Sequence, residues 1–164
     1  MKKTFLLLAT AILSLSAMAK TEADEPIEIT RAFEEAKKIE KSIKLTSFPA
    51  RVYNIIDFGA KPNTPEKPCH DAINEAILRC NQDGGGTVLI PKGTFYTGPI
   101  TLKSNVNLHI EKDAVLKFDT NQALYFPPVL TRWEGLDCYN AHPLIYAYGE
   151  TNIAITGKGI MDAQ

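Results

Sequence analysis

The sequence has 164 residues, 45% of them hydrophobic and 23% charged, with 18 basic against 19 acidic side chains and a formal net charge of −1. That length suits one domain, and the apolar fraction is ordinary for a packed core. The near-balanced charge, with no long block of one sign, excludes a nucleic-acid partner held by electrostatics.

Residues 1–19 read as a secretory signal peptide: Lys2 and Lys3, an apolar run from Thr4 to Leu15, then Ala17-Met18-Ala19 as a small-x-small cleavage site. Lys20 then opens the mature chain. The apolar run is too short to span a bilayer, and Lys20 to Glu25 is polar at once, so no membrane anchor is expected. No cysteine follows the cleavage site, which leaves no lipoprotein signal. The expected location is the periplasm or the outside of the cell. Without Lys2 and Lys3 the balance is 16 basic to 19 acidic, a net of −3.

Residues 20–51 form a helical extension. Ile29, Phe33, Ala36, Ile39 and Ile43 recur at helical spacing, with Glu and Lys on the other face, which predicts a surface helix from Ile29 to Leu45. Ser47-Phe48-Pro49 breaks it. A strand is expected from Val52 to Phe58 and a Pro-rich loop from Gly59 to Pro68. The spacing then predicts a second helix, Asp71 to Cys80, with Ala72, Ile73, Ala76, Ile77 and Cys80 on its apolar face; Asp83-Gly84-Gly85-Gly86 ends it.

From Thr87 the pattern changes to short strands punctuated by Gly, Pro, Asn and Asp: 87–90, 94–97, 100–102, 106–110 and 115–118. Asp119 to Ala141 looks irregular, after which strands resume at 144–147, 153–156 and 160–161. A weak repeat links the two runs. Pro99-Ile100-Thr101-Leu102 with Asn105-Val106-Asn107-Leu108 returns as Pro143-Leu144-Ile145-Tyr146 with Asn152-Ile153-Ala154-Ile155, offset by 44 residues at the prolines and 47 at the asparagines. About two coils of a β-helix, each near two dozen residues, fit that offset. A β-sandwich also produces short alternating strands.

Cys69, Cys80 and Cys138 are an odd number for an exported chain, so at least one is unpaired. Cys69 and Cys80 bracket the second helix, roughly 16 Å apart at the helical rise, beyond the reach of a disulfide. No CxxC or HxxxH spacing supports a metal site, and buried apolar thiols are expected instead.

A succession of motifs resembles the polygalacturonase-like glycoside hydrolases, pectin-degrading right-handed parallel β-helix proteins. It runs from Asn54-Ile55-Ile56-Asp57-Phe58-Gly59-Ala60 through the helix Asp71 to Cys80, Gly84-Gly85-Gly86-Thr87-Val88-Leu89-Ile90-Pro91-Lys92-Gly93, and Thr97-Gly98-Pro99-Ile100-Thr101-Leu102. Thr131-Arg132-Trp133-Glu134-Gly135, Cys138-Tyr139-Asn140 and Asn152-Ile153-Ala154-Ile155-Thr156-Gly157 resemble the segments that follow in a bacterial branch. The resemblance implies an all-β chain, with residues 52–164 forming an N-terminal α-helical cap and the first coils of the β-helix. The second helix is the expected cap, since a β-helix must cover the core and edge of its first coil. Two places depart from the family. Lys61 to His70 lacks the usual Gly-Asp-Gly and Asp-x-Thr, and the usual Asp-Gly-Gln-Gly is here Asp162-Ala163-Gln164, so the coils are expected to stop short.

The resemblance implies hydrolysis of glycosidic bonds in a uronate-rich pectin, with inversion, by carboxylates roughly 6.5–9.5 Å apart. The family segments that carry them resemble Asn-Thr-Asp, Asp-Asp, Gly-His and Arg-Ile-Lys, and none occurs here. No catalytic residue, metal or cofactor is therefore assigned, and the chain alone is expected to be inactive. The candidates for contact with a polysaccharide are Arg132, Trp133 and Glu134: a guanidinium pairs a uronate carboxylate, and an indole stacks on a sugar face. The alternative is that Trp133 packs the loop onto the coil while its neighbours stay solvated. His109 is expected to face solvent, and Tyr125, Tyr139, Tyr146 and Tyr148 either line a groove or pack. Two other readings share the fold, a non-catalytic polysaccharide-binding protein and a polysaccharide lyase.

Overall fold

A computed structural model describes residues 25–164; the expected signal peptide, residues 1–19, lies outside the described residues. The chain divides into two units, one up to Leu45 and one from Thr46 onward. Among the described residues no helix is long and apolar enough to cross a membrane.

In the first unit, α1 (Glu25–Ser42) covers most of the predicted helix. Lys37 donates to Glu34 one turn earlier at 2.9 Å, the spacing at which a helix brings opposite charges together. Its apolar positions Ile29, Phe33 and Ile39 are exposed.

The second unit is a right-handed parallel β-helix with a helical cap. It opens with β1 (Val52–Asn54). The chain does not continue as the strand expected up to Phe58 but winds into a 3-10 turn over Ile55–Phe58. Asn54 causes this: its side-chain oxygen accepts from the Ile56 amide at 3.0 Å, drawing the backbone back on itself. Fully buried Ile55 then points into the core.

The cap, α2 (His70–Gln82), buries the five residues expected of it: Ala72, Ile73, Ala76, Ile77 and Cys80. Beneath it lie β2 (Gly86–Ile90), β3 (Gly93–Thr97) and β4 (Ile100–Thr101), the three sides of the first coil. Next come β5 (Val106–Ile110) and β6 (Ala114–Phe118), with β9 (Ile145–Tyr146) as the third side. Then follow β10 (Ala154–Gly157) and β11 (Ile160–Asp162). Parallel pairing stacks the sides as β1-β2-β5-β10, β3-β6-β11 and β4-β9.

The register corrects the reading of the repeat. Gly86 pairs with Val106, twenty residues on, and Gly93 with Ala114. Asn107 pairs directly with Ala154, and Ile100 with Ile145. An offset of 47 is therefore one coil, not two, and the coil is long because residues 119–144 leave it between β6 and β9. Strands in a parallel stack fix only the side-chain face, so an excursion between them adds length without shifting the ladder.

Alternate residues of each strand point inward and stack between coils. Val88 lies beside Leu108 and Phe95 beside Leu116, all fully buried. Each such residue stabilises by about 1.5–3 kcal/mol. In the third coil the corresponding positions, Ile155 and Met161, are 42% and 48% exposed.

The first coil's outer edge is covered on all three sides. β1 pairs with β2. Along β3, the Asn63 amide donates to Thr94 O (2.7 Å) and the Cys69 amide to Tyr96 O (2.8 Å). These bonds supply the cap entry in Lys61 to His70, where the family pattern is missing. Along β4, Asn74 stands in for a strand: its Nδ2 donates to Pro99 O (3.0 Å) and its Oδ1 accepts from Thr101 N (2.8 Å). An uncovered edge would leave these groups unpaired or open to another chain.

Candidate functional site

The excursion from the second coil holds the expected site residues and is not irregular. After a 3-10 turn at Gln122–Tyr125, β7 (Val129–Trp133) and β8 (Leu136–Asn140) form an antiparallel hairpin. Its two turn residues are Glu134 and Gly135, at φ 48° and 88°. Positive φ at both positions gives a turn whose twist matches that of the strands. An Glu-Gly pair between two alternating runs was the sequence signal for it.

The hairpin separates the three predicted residues. Arg132 lies opposite Asp137, and Trp133 opposite Leu136. Neighbours along a strand point to opposite faces, so Arg132 and Trp133 do not share one. The Arg132 guanidinium approaches the Asp137 carboxylate at 3.9 Å, both well exposed, a contact that solvent screens. Trp133 does not pack the loop onto the coil: it is 66% exposed, beside Leu136 at 74%. Glu134 occupies the turn.

Tyr146 fastens the hairpin, its hydroxyl donating to Leu130 O at 2.6 Å. The Tyr146 ring stacks with Tyr148, centroids 6.5 Å apart, and meets the His142 ring edge-on at 5.2 Å. His142 is held at both nitrogens: Nδ1 lies 2.6 Å from the Pro143 carbonyl, an acceptor only, and Nε2 lies 3.0 Å from the Thr101 hydroxyl. In the neutral ring Nδ1 thus carries the proton and Nε2 accepts from Thr101. At the hairpin's base a cavity of about 450 Å³ is lined by Asp119, Gln122, Tyr125, Phe126, His142 and Leu144, among others. Burial pushes the Tyr125 phenol up from its usual range, and its hydroxyl donates to Asp119 O at 2.8 Å. Tyr139 and Tyr148 are exposed, while Tyr125 and Tyr146 are half-buried.

These groups suit binding. Phe126 offers an exposed ring at the cavity, and Trp133, Tyr139 and Tyr148 are exposed elsewhere on the hairpin and the strand beside it, surfaces of the kind that stack on sugar rings. His142 is held at both nitrogens, and Asp119 Oδ1 accepts from the Asn121 amide at 2.7 Å. Cys69 and Cys80 are buried and unpaired, and burial pushes each thiol up to about 11, away from nucleophilic use. Among the described residues, no three His, Cys, Asp or Glu side chains gather as a metal site. A second crevice, beside the cap, carries Glu66, Asp71 and Glu75 with Lys61 and Lys67, charges of both signs.

No protein-family model matches the chain. Among solved structures, an exopolygalacturonase from Thermotoga maritima matches with a TM-score of 0.71 and 39% identity, over 78% of this chain and 28% of that one. A family 28 exopolygalacturonase from Yersinia enterocolitica matches with a TM-score of 0.57 and 29% identity, over 69% of this chain and 21% of that one. Of curated relatives, a Vitis vinifera protein named "Probable polygalacturonase" is 26% identical over 137 residues, 77% of this chain and 28% of its own length. An Alteromonas macleodii iota-carrageenase is 37% identical over 67 residues, 40% of this chain and 13% of its own length. The chain thus spans less than a third of each of these relatives.

Proposed function

The chain is a polygalacturonase-like right-handed parallel β-helix, and from that premise we propose that it is part of an exported glycoside hydrolase acting on uronate-rich pectin. The observation that carries this reading is the joint match of fold and sequence to the Thermotoga maritima exopolygalacturonase, at 39% identity and a TM-score of 0.71. On this reading the acid and base of an inverting hydrolysis lie in the part of the relatives that this chain does not span. The chain's own contribution is the capped start of the coil stack and the hairpin. Trp133 and Leu136 give one face for a sugar ring, and Arg132 on the other face attracts uronate carboxylates. Export follows from the basic, apolar and small-residue order of residues 1–19.

Titrating the full chain with oligogalacturonate while assaying reducing ends tests the reading. Binding without turnover is expected, weakened about fivefold by Trp133→Ala, since an aromatic contact contributes on the order of 1 kcal/mol. Turnover abolished by changing a single Asp of this chain, or absence of binding, would overturn it. The Alteromonas macleodii relative supports a second reading in which the polymer is a sulfated galactan. A sulfated oligosaccharide that binds where oligogalacturonate does not would select it.

A further inference from the structure

A polar relay runs along the outer face of the first sheet, on strands that carry no part of the hairpin. Asn107 Nδ2 approaches the Thr87 hydroxyl at 3.4 Å, and its Oδ1 accepts from the Thr156 hydroxyl at 2.9 Å. Thr156 Oγ1 also lies 2.8 Å from His109 Nδ1. A hydroxyl has one proton, and that of Thr156 is given to Asn107, so the bond from His109 requires a proton on Nδ1. In the neutral ring Nε2 is then a lone-pair acceptor, and among the described residues it has no partner.

His109 lines a cavity of about 470 Å³ with Glu111, Lys112, Gly157 and Lys158. Consecutive coils build it, because Gly157 pairs with Ile110 and the residues after each turn side by side. The Lys158 backbone is fixed there, its amide and that of Gly159 both donating to Ile110 O, at 3.0 and 3.1 Å. Among the described residues neither the Lys112 nor the Lys158 ammonium has a carboxylate within ion-pair distance. Glu111 supplies the wall's negative charge, with Oε2 accepting from the Lys92 amide at 3.1 Å.

We propose that this cavity binds an acidic sugar: Lys112 and Lys158 take the anionic group, a carboxylate or a sulfate ester, and His109 Nε2 accepts a hydroxyl of the same residue. Two unpaired ammoniums next to a fixed acceptor match an anion with a hydroxyl beside it on one ring. The site stands apart from the hairpin and does not rest on the hydrolytic reading.

Calorimetric titration of the full chain with trigalacturonate, a sulfated galacto-oligosaccharide and neutral galactotriose tests it. At least one anionic ligand is expected to bind and the neutral one not to, and the anionic ligand preferred identifies the acid group. Lys112→Ala and Lys158→Ala should each weaken binding by about fivefold, the scale of a solvent-exposed charge contact. Glu111→Gln should tighten it about twofold, and the binding event that the two lysine substitutions weaken should persist in Trp133→Ala, which acts only on the separate hairpin event. Nitrogen-15 spectra should show the proton of the neutral His109 ring on Nδ1 and a ligand-induced shift at Nε2. Equal binding of the neutral sugar, indifference to the double lysine substitution, or a proton on Nε2 in the neutral ring would each overturn the proposal. Loss of all anion binding in Trp133→Ala alone would overturn it too, by assigning that binding to the hairpin.

Discussion

Asn152 donates its side-chain amide to the side-chain oxygen of Asn105 at 2.9 Å, from the same turn one coil later, and both residues have positive φ. Asn tolerates this conformation better than other residues with a side chain, and stacked turns let each amide serve the next. The Asn152 amide group also brackets Ser47, accepting from its N–H at 3.3 Å and donating to its carbonyl at 3.0 Å. Ser47 precedes β1, so one side chain ties the third coil to the segment that leads into the first. Asn152→Ala removes three hydrogen bonds and the residue type suited to the turn. A loss of about 2–3 kcal/mol in a urea titration is expected, against about 1 kcal/mol for one ordinary bond.

The cap makes a sharper contrast. Ile77, on the inner face of α2, is fully buried, whereas Ile39 on α1 is 58% exposed. Ile77→Asp puts a carboxylate with no partner into the core, so it should cost about 4 kcal/mol or more, or detach the helix. Ile39→Asp should change stability by about 0.5 kcal/mol. Denaturation midpoints of the two variants give the comparison, and equal losses would contradict the assignment of α2 as the cap.

Glu150 predicts a pH dependence. Its Oε2 accepts from the Ser104 hydroxyl at 2.6 Å and the Ser104 amide at 2.7 Å, while Lys103 donates to Oε1 at 3.1 Å. The Ser104 hydroxyl above all, then Lys103 and the Ser104 amide, hold the carboxyl below its ordinary value of 4.5, against the opposing effect of burial. A lowered folded-state pKa favours folding above the unfolded-state value, and that contribution disappears as pH falls through the folded-state value. Glu150→Gln should therefore destabilise by about 1 kcal/mol at neutral pH. Its difference from the parent chain should shrink below pH 4. A difference that is the same at pH 7 and pH 3 would contradict this.

Two glycines of positive φ should respond differently to a methyl group. At Gly157, φ 113°, an added Cβ would collide with Ile110 O in the adjacent strand. At Gly135, φ 88°, it would meet nothing within 4 Å. Gly135→Ala should thus cost only the conformational penalty of about 1–2 kcal/mol. Gly157→Ala must also force β10 away from β5, and a larger fall in melting temperature is expected.

Much of the fold was legible because local periodicity reports which way a side chain faces. Ala72, Ile73, Ala76, Ile77 and Cys80 marked the cap's buried face at helical spacing, and alternation in Val106–Ile110 marked Val106, Leu108 and Ile110 as inward. The hairpin is equally local in origin, but the Pro and Asn residues of Asp119 to Ala141 punctuate the stretch and mask its Glu-Gly turn. Trp133 and Arg132 were legible as residue types suited to sugars, but not as occupants of opposite faces, which needs the strand assignment first.

Partners were not legible, because pairing joins residues far apart in the chain and periodicity is silent about which strand lies beside which. The sequence by itself determined the capping helix, the inward-facing residues and the chemistry available on the hairpin. Only the tertiary structure decided that an offset of 47 residues is a single coil, since that requires Asn107 to pair with Ala154 across the whole excursion. It likewise decided that Asn74 completes the edge of β4 and that His109 meets Thr156. In each case two groups with unspent hydrogen-bonding capacity become neighbours only after the coil closes, and the need to satisfy them fixes the register.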